Sequence, residues 1–261
     1  MRRTGPVGLY RTYYNWDGGR GENNRIRSDY AAGRLSWISF KPPSSAPGGW
    51  NQVSSGRFDA DLRARARRYA SLPGPIVVTF NHEPENDRTG TGAEFARAWC
   101  HVYDVMKKET GLKNVASVPI IGEWTFNPQN RRQDPADWVT GPMLDRCDFL
   151  GLDIYQNAGG AGYDERLGRI LDWMAARGHS DKMVGVAETG TTDAYRYDQP
   201  GEWWTQQWKW SIANTDKLGV ISYFNSLRHN NSGNNWLLWQ SQAKLNAFKA
   251  SLQSSMSVGL V

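Results

Sequence analysis

The stretch PIVVTFNHEPEND, residues 75–87, joins an apolar run to a cluster of ionisable side chains. The run is rich in β-branched residues and has the length of one strand, so it predicts a buried strand. His82, Glu83 and Glu85 follow its last apolar residue, Phe80, almost at once. A turn needs no such cluster, whereas a catalytic site placed at the end of a strand does.

Apolar runs of this kind recur along the chain. Seven begin at Val7, Leu35, Pro75, Asn114, Asp148, Met183 and Gly219. From the third run onward their spacing is roughly 35 residues, which accommodates one strand and one helix per unit. Alternating strands and helices predict an α/β fold with a parallel sheet.

Helical patterns occupy the gaps between these runs, and the clearest covers residues 91–110. Thr91 and Glu94 have the spacing of a capping box, and Gly111 is placed to end the helix. The helix carries one apolar stripe, formed by Phe95, Trp99, Val102 and Met106. Further helices are predicted over residues 59–71, 164–177, 202–212 and 236–252.

The loops that follow the strands are long and polar, whereas those that lead from helix to strand are short. Barrel enzymes carry their sites on the loops at the carboxyl ends of the strands, although doubly wound folds share this rule. We predict a (β/α)8 TIM barrel that forms a single catalytic domain, residues 1–261, of a longer protein. Seven runs leave such a barrel one strand short, so we expect its first strand to be missing or irregular.

Composition argues against several classes of protein. The net charge is +5, and we interpret the basic cluster in the helix of residues 59–71 as a solvated face rather than a nucleic-acid site; it comprises Arg63, Arg65, Arg67 and Arg68. The four histidines and two cysteines lack metal-ligand spacing, and no phosphate-binding glycine motif follows a strand. We therefore expect no metal and no other cofactor. No apolar run approaches the roughly 20 residues of a membrane span, and the N-terminus lacks the apolar segment of a signal peptide.

Two carboxyl groups occupy equivalent positions in the pattern. Glu83 follows the apolar run of residues 75–80, and Glu188 ends the run that begins at Met183. Three strand–helix units separate them, which in an eight-stranded barrel would bring them to opposite sides of one cavity. Glycoside hydrolysis requires such a pair, one as proton donor and the other as nucleophile or as base for water. A lone glutamate at a strand end is as readily a helix cap, so the hypothesis depends on the pair.

The His82–Glu83 pair, Glu188 and the DIY sequence that ends at Tyr155 resemble the (β/α)8 retaining glycoside hydrolases, and most closely family 26, which includes β-mannanases and β-glucanases. The resemblance implies that Glu83 is the general acid/base and Glu188 the nucleophile. It also implies that His82 forms hydrogen bonds in the active site and that the Tyr155 hydroxyl holds the nucleophile.

Two features depart from the family pattern. The family carries its acid/base on the fourth strand, which would make the run from Val7 the second strand and leave the first outside this chain. The family's last strand commonly carries a tryptophan under the cleaved sugar, whereas this chain has Tyr223, Phe224 and Asn225 there. We include Tyr223 and Asn225 among the expected substrate contacts, and the identity of the sugar stays open.

Further substrate contacts are expected from side chains at or near the strand ends. They are Asn81, Trp124, Trp37, Arg11 and Lys41. Asn81 is as readily a turn residue as a substrate contact. Each tryptophan is as readily a core residue as a sugar platform, and the same two interpretations apply to Trp16 and Trp50. Glu123, at another strand end, is the rival carboxyl group.

We predict a retaining, endo-acting glycoside hydrolase that cleaves a polysaccharide by double displacement, with its two carboxyl groups about 5–5.5 Å apart. The alternative is a non-catalytic carbohydrate-binding module of a larger assembly, such as a phage tail or a cell-surface protein. A third interpretation is an unrelated barrel enzyme that uses Glu123. We expect a polysaccharide partner, attachment to a larger polypeptide or virion, no nucleic acid, and an extracellular, virion-associated or cell-surface location.

Overall fold

The computed structural model describes residues 3–156, 161–192, 201–226 and 236–259, in which strands and helices alternate. The strands are β1 (Leu9–Tyr14), β2 (Leu35–Phe40), β3 (Ile76–Phe80), β4 (Val115–Ser117), β5 (Ile120–Gly122), β6 (Leu150–Asp153), β7 (Val184–Thr189) and β8 (Leu218–Tyr223). The helices are α1 (Gly19–Ala31), α2 (Gly49–Ser54), α3 (Asp59–Ala70), α4 (Gly92–Tyr103), α5 (Pro135–Trp138), α6 (Gly141–Arg146), α7 (Tyr163–Ala175), α8 (Glu202–Ala213) and α9 (Gln242–Leu252). Short 3-10 helices cover Pro84–Asn86, Glu123–Phe126 and Leu238–Gln240, and a π-helical turn, Asp104–Glu109, extends α4.

The strands form two four-stranded parallel sheets, in the orders β1-β2-β3-β4 and β5-β6-β7-β8. Strands in sequential order with helices between them are the pattern of a (β/α)8 barrel. The predicted fold class is therefore confirmed. Among the described residues, no helix is long and apolar enough to cross a lipid bilayer.

Residues 9–151 form one compact unit around the first sheet. Every residue of β3 is buried, as are the residues of β2 after Leu35. The apolar stripe of α4 is buried as predicted, and Trp99 and Met106 lie beside Phe80 of β3. The predicted capping box of Thr91 and Glu94 is present at the start of this helix.

Residues 152–259, together with the N-terminal residues through Gly8, form the second unit. All six residues of β7 are buried, and β7 pairs with β8 in parallel. Helices α8 and α9 contribute Trp204, Leu245 and Phe248 to an apolar cluster that Leu238 completes. This cluster packs against Ile221 and Tyr223 of β8.

The count of seven strands is wrong, because the run that begins at Asn114 contains two. Proline has no amide hydrogen to donate to a sheet, and Pro119 separates β4 from β5. The helix predicted over residues 236–252 begins later, at Gln242, where the Ser241 hydroxyl accepts a hydrogen bond from the Lys244 amide. Helices α1 and α2 were not among the predicted helices.

The interpretation of the arginine cluster of α3 as a solvated face is wrong for Arg65. Its side chain is 3% exposed, and its Nη2 atom lies 3.1 Å from Oε1 of Glu22 in α1. The Tyr69 hydroxyl donates to the other oxygen of Glu22 at 3.0 Å. A buried charge requires a partner, and the one that Arg65 has lies in a helix that the sequence pattern did not predict.

Candidate active site

The loop that follows β3 is anchored to two neighbouring strands by its backbone. The amide of Asn81 donates to the carbonyl of Phe40, the last residue of β2, at 2.9 Å. Two residues later the amide of Glu83 donates to the carbonyl of Ile120 in β5 at 3.0 Å. These bonds hold Asn81 and Glu83 at the carboxyl end of the strand, where the sequence pattern predicted them.

Asn81 and Glu83 have left-handed backbone conformations, with φ of 50° and 46°. They are the only non-glycine residues with positive φ in the part of the chain that the structure describes. This conformation costs a residue with a side chain about 1–2 kcal/mol, and such residues concentrate at functional sites. The strain distinguishes this loop from the other strand ends.

The side chain of Asn81 is fully buried, and both ends of its amide form hydrogen bonds. Its Oδ1 accepts from Nε1 of Trp50 at 3.2 Å, and its Nδ2 donates to Oδ2 of Asp87 at 2.7 Å. Nζ of Lys41 contacts the same Asp87 oxygen at 2.9 Å and the carbonyl of His82 at 3.4 Å. Asn81 therefore braces the loop, and a sugar contact from its side chain stays a prediction. A substrate contact by the half-buried Lys41 stays a prediction.

His82 is an uncharged imidazole in this setting. Burial lowers its pKa well below the usual value, and the positive charges of Arg11 and Lys41 lower the pKa further. The ring packs edge-on against Tyr13, with 5.2 Å between ring centroids. A neutral imidazole can donate one hydrogen bond and accept another, which fits the predicted hydrogen-bonding role.

The side chains of Glu83 and Glu85 converge on Gly122, the last residue of β5. The Gly122 amide donates a hydrogen bond to Oε1 of Glu85. A Cβ atom on Gly122 would lie 2.8 Å from Oε1 of Glu85 and 3.6 Å from Oε1 of Glu83. Glycine at this position therefore lets two carboxyl groups approach one strand end.

Glu85 is a protonated carboxylic acid at neutral pH. Burial raises its pKa to about 8, and the neighbouring charge of Glu83 adds to the shift. Its Oε2 atom is buried without a hydrogen-bond partner. A strongly shifted carboxyl group next to another ionisable group is typical of active sites.

In the second unit, Glu188 lies next to the end of β7 and is 8% exposed. The Tyr155 hydroxyl, just beyond β6, donates a hydrogen bond to its Oε2 at 2.5 Å. The backbones of the same two strand ends are also joined, because the amide of Ile154 donates to the carbonyl of Glu188 at 2.8 Å. The carboxylate is thus held at a strand end by a side chain from the adjacent strand.

Tyr155 is itself held from several sides. Its ring packs against Trp236, with 4.9 Å between centroids, and its carbonyl accepts a hydrogen bond from Nη1 of Arg166 at 2.8 Å. A Cβ atom on Gly190 would lie 2.7 Å from the Trp236 ring and 3.1 Å from that of Tyr155. Only glycine leaves room for this packing, so Gly190 helps to set the direction of the hydroxyl.

The residues predicted on the last strand have structural partners. The Tyr223 hydroxyl accepts a hydrogen bond from the Thr191 amide at 3.2 Å. Asn225 is exposed, and its Oδ1 accepts from the amide of Leu238 at 3.0 Å. Substrate contacts from Tyr223 and Asn225 stay predictions.

Two predicted indole platforms lie in the core. Trp37 is 0% exposed and donates from Nε1 to Oγ1 of Thr79 at 2.9 Å, which fits a core residue, and its contact with substrate stays a prediction. Trp50 is also fully buried. Arg11 is nine-tenths buried, with its guanidinium 4.8 Å from the centroid of the Tyr13 ring. Arg11 reaches the rings around His82, and a contact with substrate stays a prediction.

The turn after β5 holds the remaining candidates. Trp124 is 50% exposed, as a sugar platform requires, and its role stays a prediction. Its neighbour Glu123, the rival carboxyl group, is 2% exposed.

Glu85 and Asp87 are not among the predicted site residues, although each forms a specific contact in this loop. The only sequence feature that pointed to Glu85 was its place two residues after Glu83. That spacing does not predict a contact between the two side chains, because both approach Gly122 only in the folded protein. Trp236 gave no signal at all, since nothing in the sequence relates it to Tyr155.

Comparisons with known proteins bear on the fold. No family model and no curated protein matches the chain. Among solved structures, a GH26 β-mannanase from Bacteroides ovatus, BoMan26A, matches with a TM-score of 0.67 at 17% identity, over 99% of this chain and 83% of the mannanase. GH26C from Muricauda sp. MAR_2010_75 matches with a TM-score of 0.62 at 17% identity, over 95% of this chain and 78% of that one.

A fungal β-1,4-galactanase matches with a TM-score of 0.64 at 18% identity, over 94% of this chain and 88% of the galactanase. The chain has a GH26-like fold. The resemblance predicted from His82–Glu83, Tyr155 and Glu188 is thus confirmed at the level of the fold, which is what identities this low establish.

Proposed function

We propose that this protein is a retaining glycoside hydrolase that cleaves a polysaccharide, with Glu83 as general acid/base and Glu188 as nucleophile. The proposal depends on the local structure around two carboxyl groups at strand ends. One lies on a left-handed backbone after β3, and the other accepts a hydrogen bond from Tyr155 at the end of β7. The GH26-like fold supports the same assignment.

In the first chemical step, Glu83 gives its proton to the glycosidic oxygen while the bond from that oxygen to the anomeric carbon breaks. An oxygen of Glu188 forms a bond to the same carbon. The hydrogen bond from Tyr155 to Oε2 orients this carboxylate for the attack. In the second step, water attacks the anomeric carbon, its proton passes to Glu83, and the bond to Glu188 breaks, so that both carboxyl groups return to their starting states.

The substrate class follows from the neighbours in fold. The matched structures include β-mannanases and a β-1,4-galactanase, so we propose an internal β-linkage of a plant or microbial polysaccharide as the target. The last strand presents Tyr223 and Asn225 rather than a tryptophan, and this favours a sugar other than mannose at the cleavage point. Attachment to a larger assembly and action outside the cell belong to the same proposal.

The test is release of reducing sugar from mannans, galactans, mixed-linkage glucans, xylans and arabinogalactan. Wild type runs beside Glu83→Gln and Glu188→Gln, with Glu109→Gln as the matched control; Glu109 is an exposed residue paired with Arg63. We expect hydrolysis by wild type and by the control, and a loss of at least about 10³-fold in both site variants, a magnitude typical of removing a nucleophile or an acid from an active site.

Proton NMR of the first product identifies its anomeric configuration. Retention supports double displacement, whereas inversion would leave the two carboxyl groups in place but change the role of Glu188 to a base for water. Full activity in Glu188→Gln would overturn the nucleophile assignment and direct attention to Glu123. Saturable binding of a polysaccharide without any hydrolysis would favour the carbohydrate-binding alternative.

A further inference from the structure

Glu85 is a buried titratable group that the double-displacement mechanism does not use. Its Oε1 is fixed by the Gly122 amide, and its carbonyl accepts a hydrogen bond from Nε2 of Gln133 at 3.0 Å. Backbone and side chain are thus both anchored to the segment after β4. The proton of the acid form therefore belongs on Oε2, the oxygen that is buried without a partner.

Within the described ranges, the neighbouring charges that shift the pKa of Glu85 favour its protonated form. The charged groups that act on it are Glu83 and Asp87, both acidic, and the groups presented by the neighbouring segments are the Gly122 amide and the neutral Gln133. The charge of Asp87 is offset by Lys41 at 2.9 Å. Glu83 is therefore the principal electrostatic neighbour of Glu85.

We propose that Glu83 and Glu85 form a carboxyl pair that retains one proton at neutral pH, and that Glu85 is a positioning residue which acts through Glu83. The proposal rests on the proposed function, because it assigns Glu83 the role of acid/base. The supporting observation is that the side chains of Glu83 and Glu85 both approach Gly122, which has no side chain of its own.

The pair has a defined part in each chemical step. The resting pair holds its one proton on Glu85, and in the reactive form that proton lies on Glu83 while Glu85 is ionised. Glu83 gives the proton to the leaving oxygen, and the pair then carries two charges until the proton of the attacking water returns to Glu83. Because two adjacent carboxyl groups resist double ionisation, the pair keeps its proton to a higher pH than a lone carboxyl group would.

The first experiment needs no substrate. Wild type, Glu85→Gln and Glu83→Gln are labelled with [δ-13C]glutamate and titrated by NMR. We expect one carboxyl in wild type to ionise near pH 8, to disappear from the spectrum of Glu85→Gln, and to ionise at lower pH in Glu83→Gln, where the neighbouring charge is gone. If Glu85 titrates at the same pH with and without Glu83, the pair does not exist, whatever the enzyme cleaves.

The second experiment is the pH profile of kcat/KM on whichever polysaccharide is hydrolysed, with Glu109→Gln as control. In Glu85→Gln the only carboxyl group left is that of Glu83. A lone carboxyl group loses its proton at a lower pH than a pair of carboxyl groups that shares one proton. We expect the alkaline limb to move down by at least one pH unit, so that activity at pH 7.5 falls about tenfold relative to that at pH 5. A uniform loss at all pH values would overturn the proposal and leave Glu85 a structural residue.

The two failures are distinguishable. If no polysaccharide is cleaved, the proposed function fails while the carboxyl titration still tests the pair. If hydrolysis depends on Glu83 and Glu188, but Glu85 titrates alike in wild type and Glu83→Gln and the pH profile of Glu85→Gln matches that of wild type, the function stands and the pair is wrong. Circular dichroism of each variant confirms that the comparison is made between folded proteins.

Discussion

The Tyr155 hydroxyl donates a 2.5 Å hydrogen bond to Oε2 of Glu188. Tyr155 lies just beyond β6 and Glu188 next to the end of β7, so the bond joins the carboxyl ends of two neighbouring strands. A hydrogen bond to a charged acceptor is stronger than one between neutral groups, and it also fixes direction. One carboxylate oxygen is thereby oriented before any substrate binds.

Tyr155→Phe should remove this bond while leaving the packing against Trp236 in place. A hydrogen bond to a charged group contributes about 1.5–3 kcal/mol, so we expect kcat to fall about 10- to 100-fold in the hydrolysis assay. Tyr30→Phe is the matched control, because Tyr30 is 48% exposed on α1. Equal activity of Tyr155→Phe and wild type would show that the bond does not orient the nucleophile.

Stability should depend on pH through Glu85. Its folded-state pKa is about 8, against an ordinary value of 4.5, so between these pH values the folded protein holds a proton that the unfolded chain has released. The contribution is complete below pH 4.5 and is lost as pH rises through 8. The free energy of unfolding of wild type, measured against that of Glu85→Gln by denaturant titration, should therefore fall by at least about 1 kcal/mol from pH 4.5 to pH 8.5. A constant difference would contradict the shift.

His82 should stay uncharged across the physiological range. Burial is the main cause, and Arg11 and Lys41 add to it by repelling a proton. The C2 proton resonance of His82, assigned by its loss in His82→Gln, should not move between pH 8 and pH 6. A titration centred near the usual histidine value of about 6.5 would show that the ring is solvated.

Trp124 should contribute to polysaccharide binding rather than to folding. Half of its surface is exposed in the turn directly after β5, and ring stacking contributes about 0.5–1.5 kcal/mol. Trp124→Ala should raise KM for the polysaccharide about 3- to 10-fold with little change in kcat. Trp239→Ala, a change at another exposed indole, is the control, and an equal rise in KM for both would remove the specific role.

The capping box of α4 should have a measurable effect on stability. The Thr91 hydroxyl accepts from the Glu94 amide, and the Glu94 carboxylate accepts from the Thr91 amide at 2.7 Å. Thr91→Ala should lower the free energy of unfolding by about 1 kcal/mol. Thr140 begins α6 without a side-chain cap bond, so Thr140→Ala should cost less, and equal losses would mean that the box itself contributes little.

Local sequence patterns predicted the order of strands and helices and the position of two carboxyl groups in that order. Runs of β-branched residues and apolar stripes are local patterns. They therefore predicted a strand at residues 75–80 and a helix at residues 91–110 without knowledge of the fold. Glu83 and Glu188 were found in the same way, since a glutamate directly after an apolar run is visible in the chain. Pro119 was visible too, but its effect on the strand count depends on which carbonyls and amides meet in the sheet.

The surroundings of those carboxyl groups depend on how distant parts of the chain pack together. The buried Trp37 and Trp50 could not be told from exposed platforms, because an indole serves either purpose and burial depends on neighbours distant in sequence. Glu85 acquired its raised pKa from burial and from the neighbouring charge of Glu83. Desolvation and charge proximity act through space, and a linear pattern therefore locates the groups that can do chemistry but does not give the protonation state in which they do it.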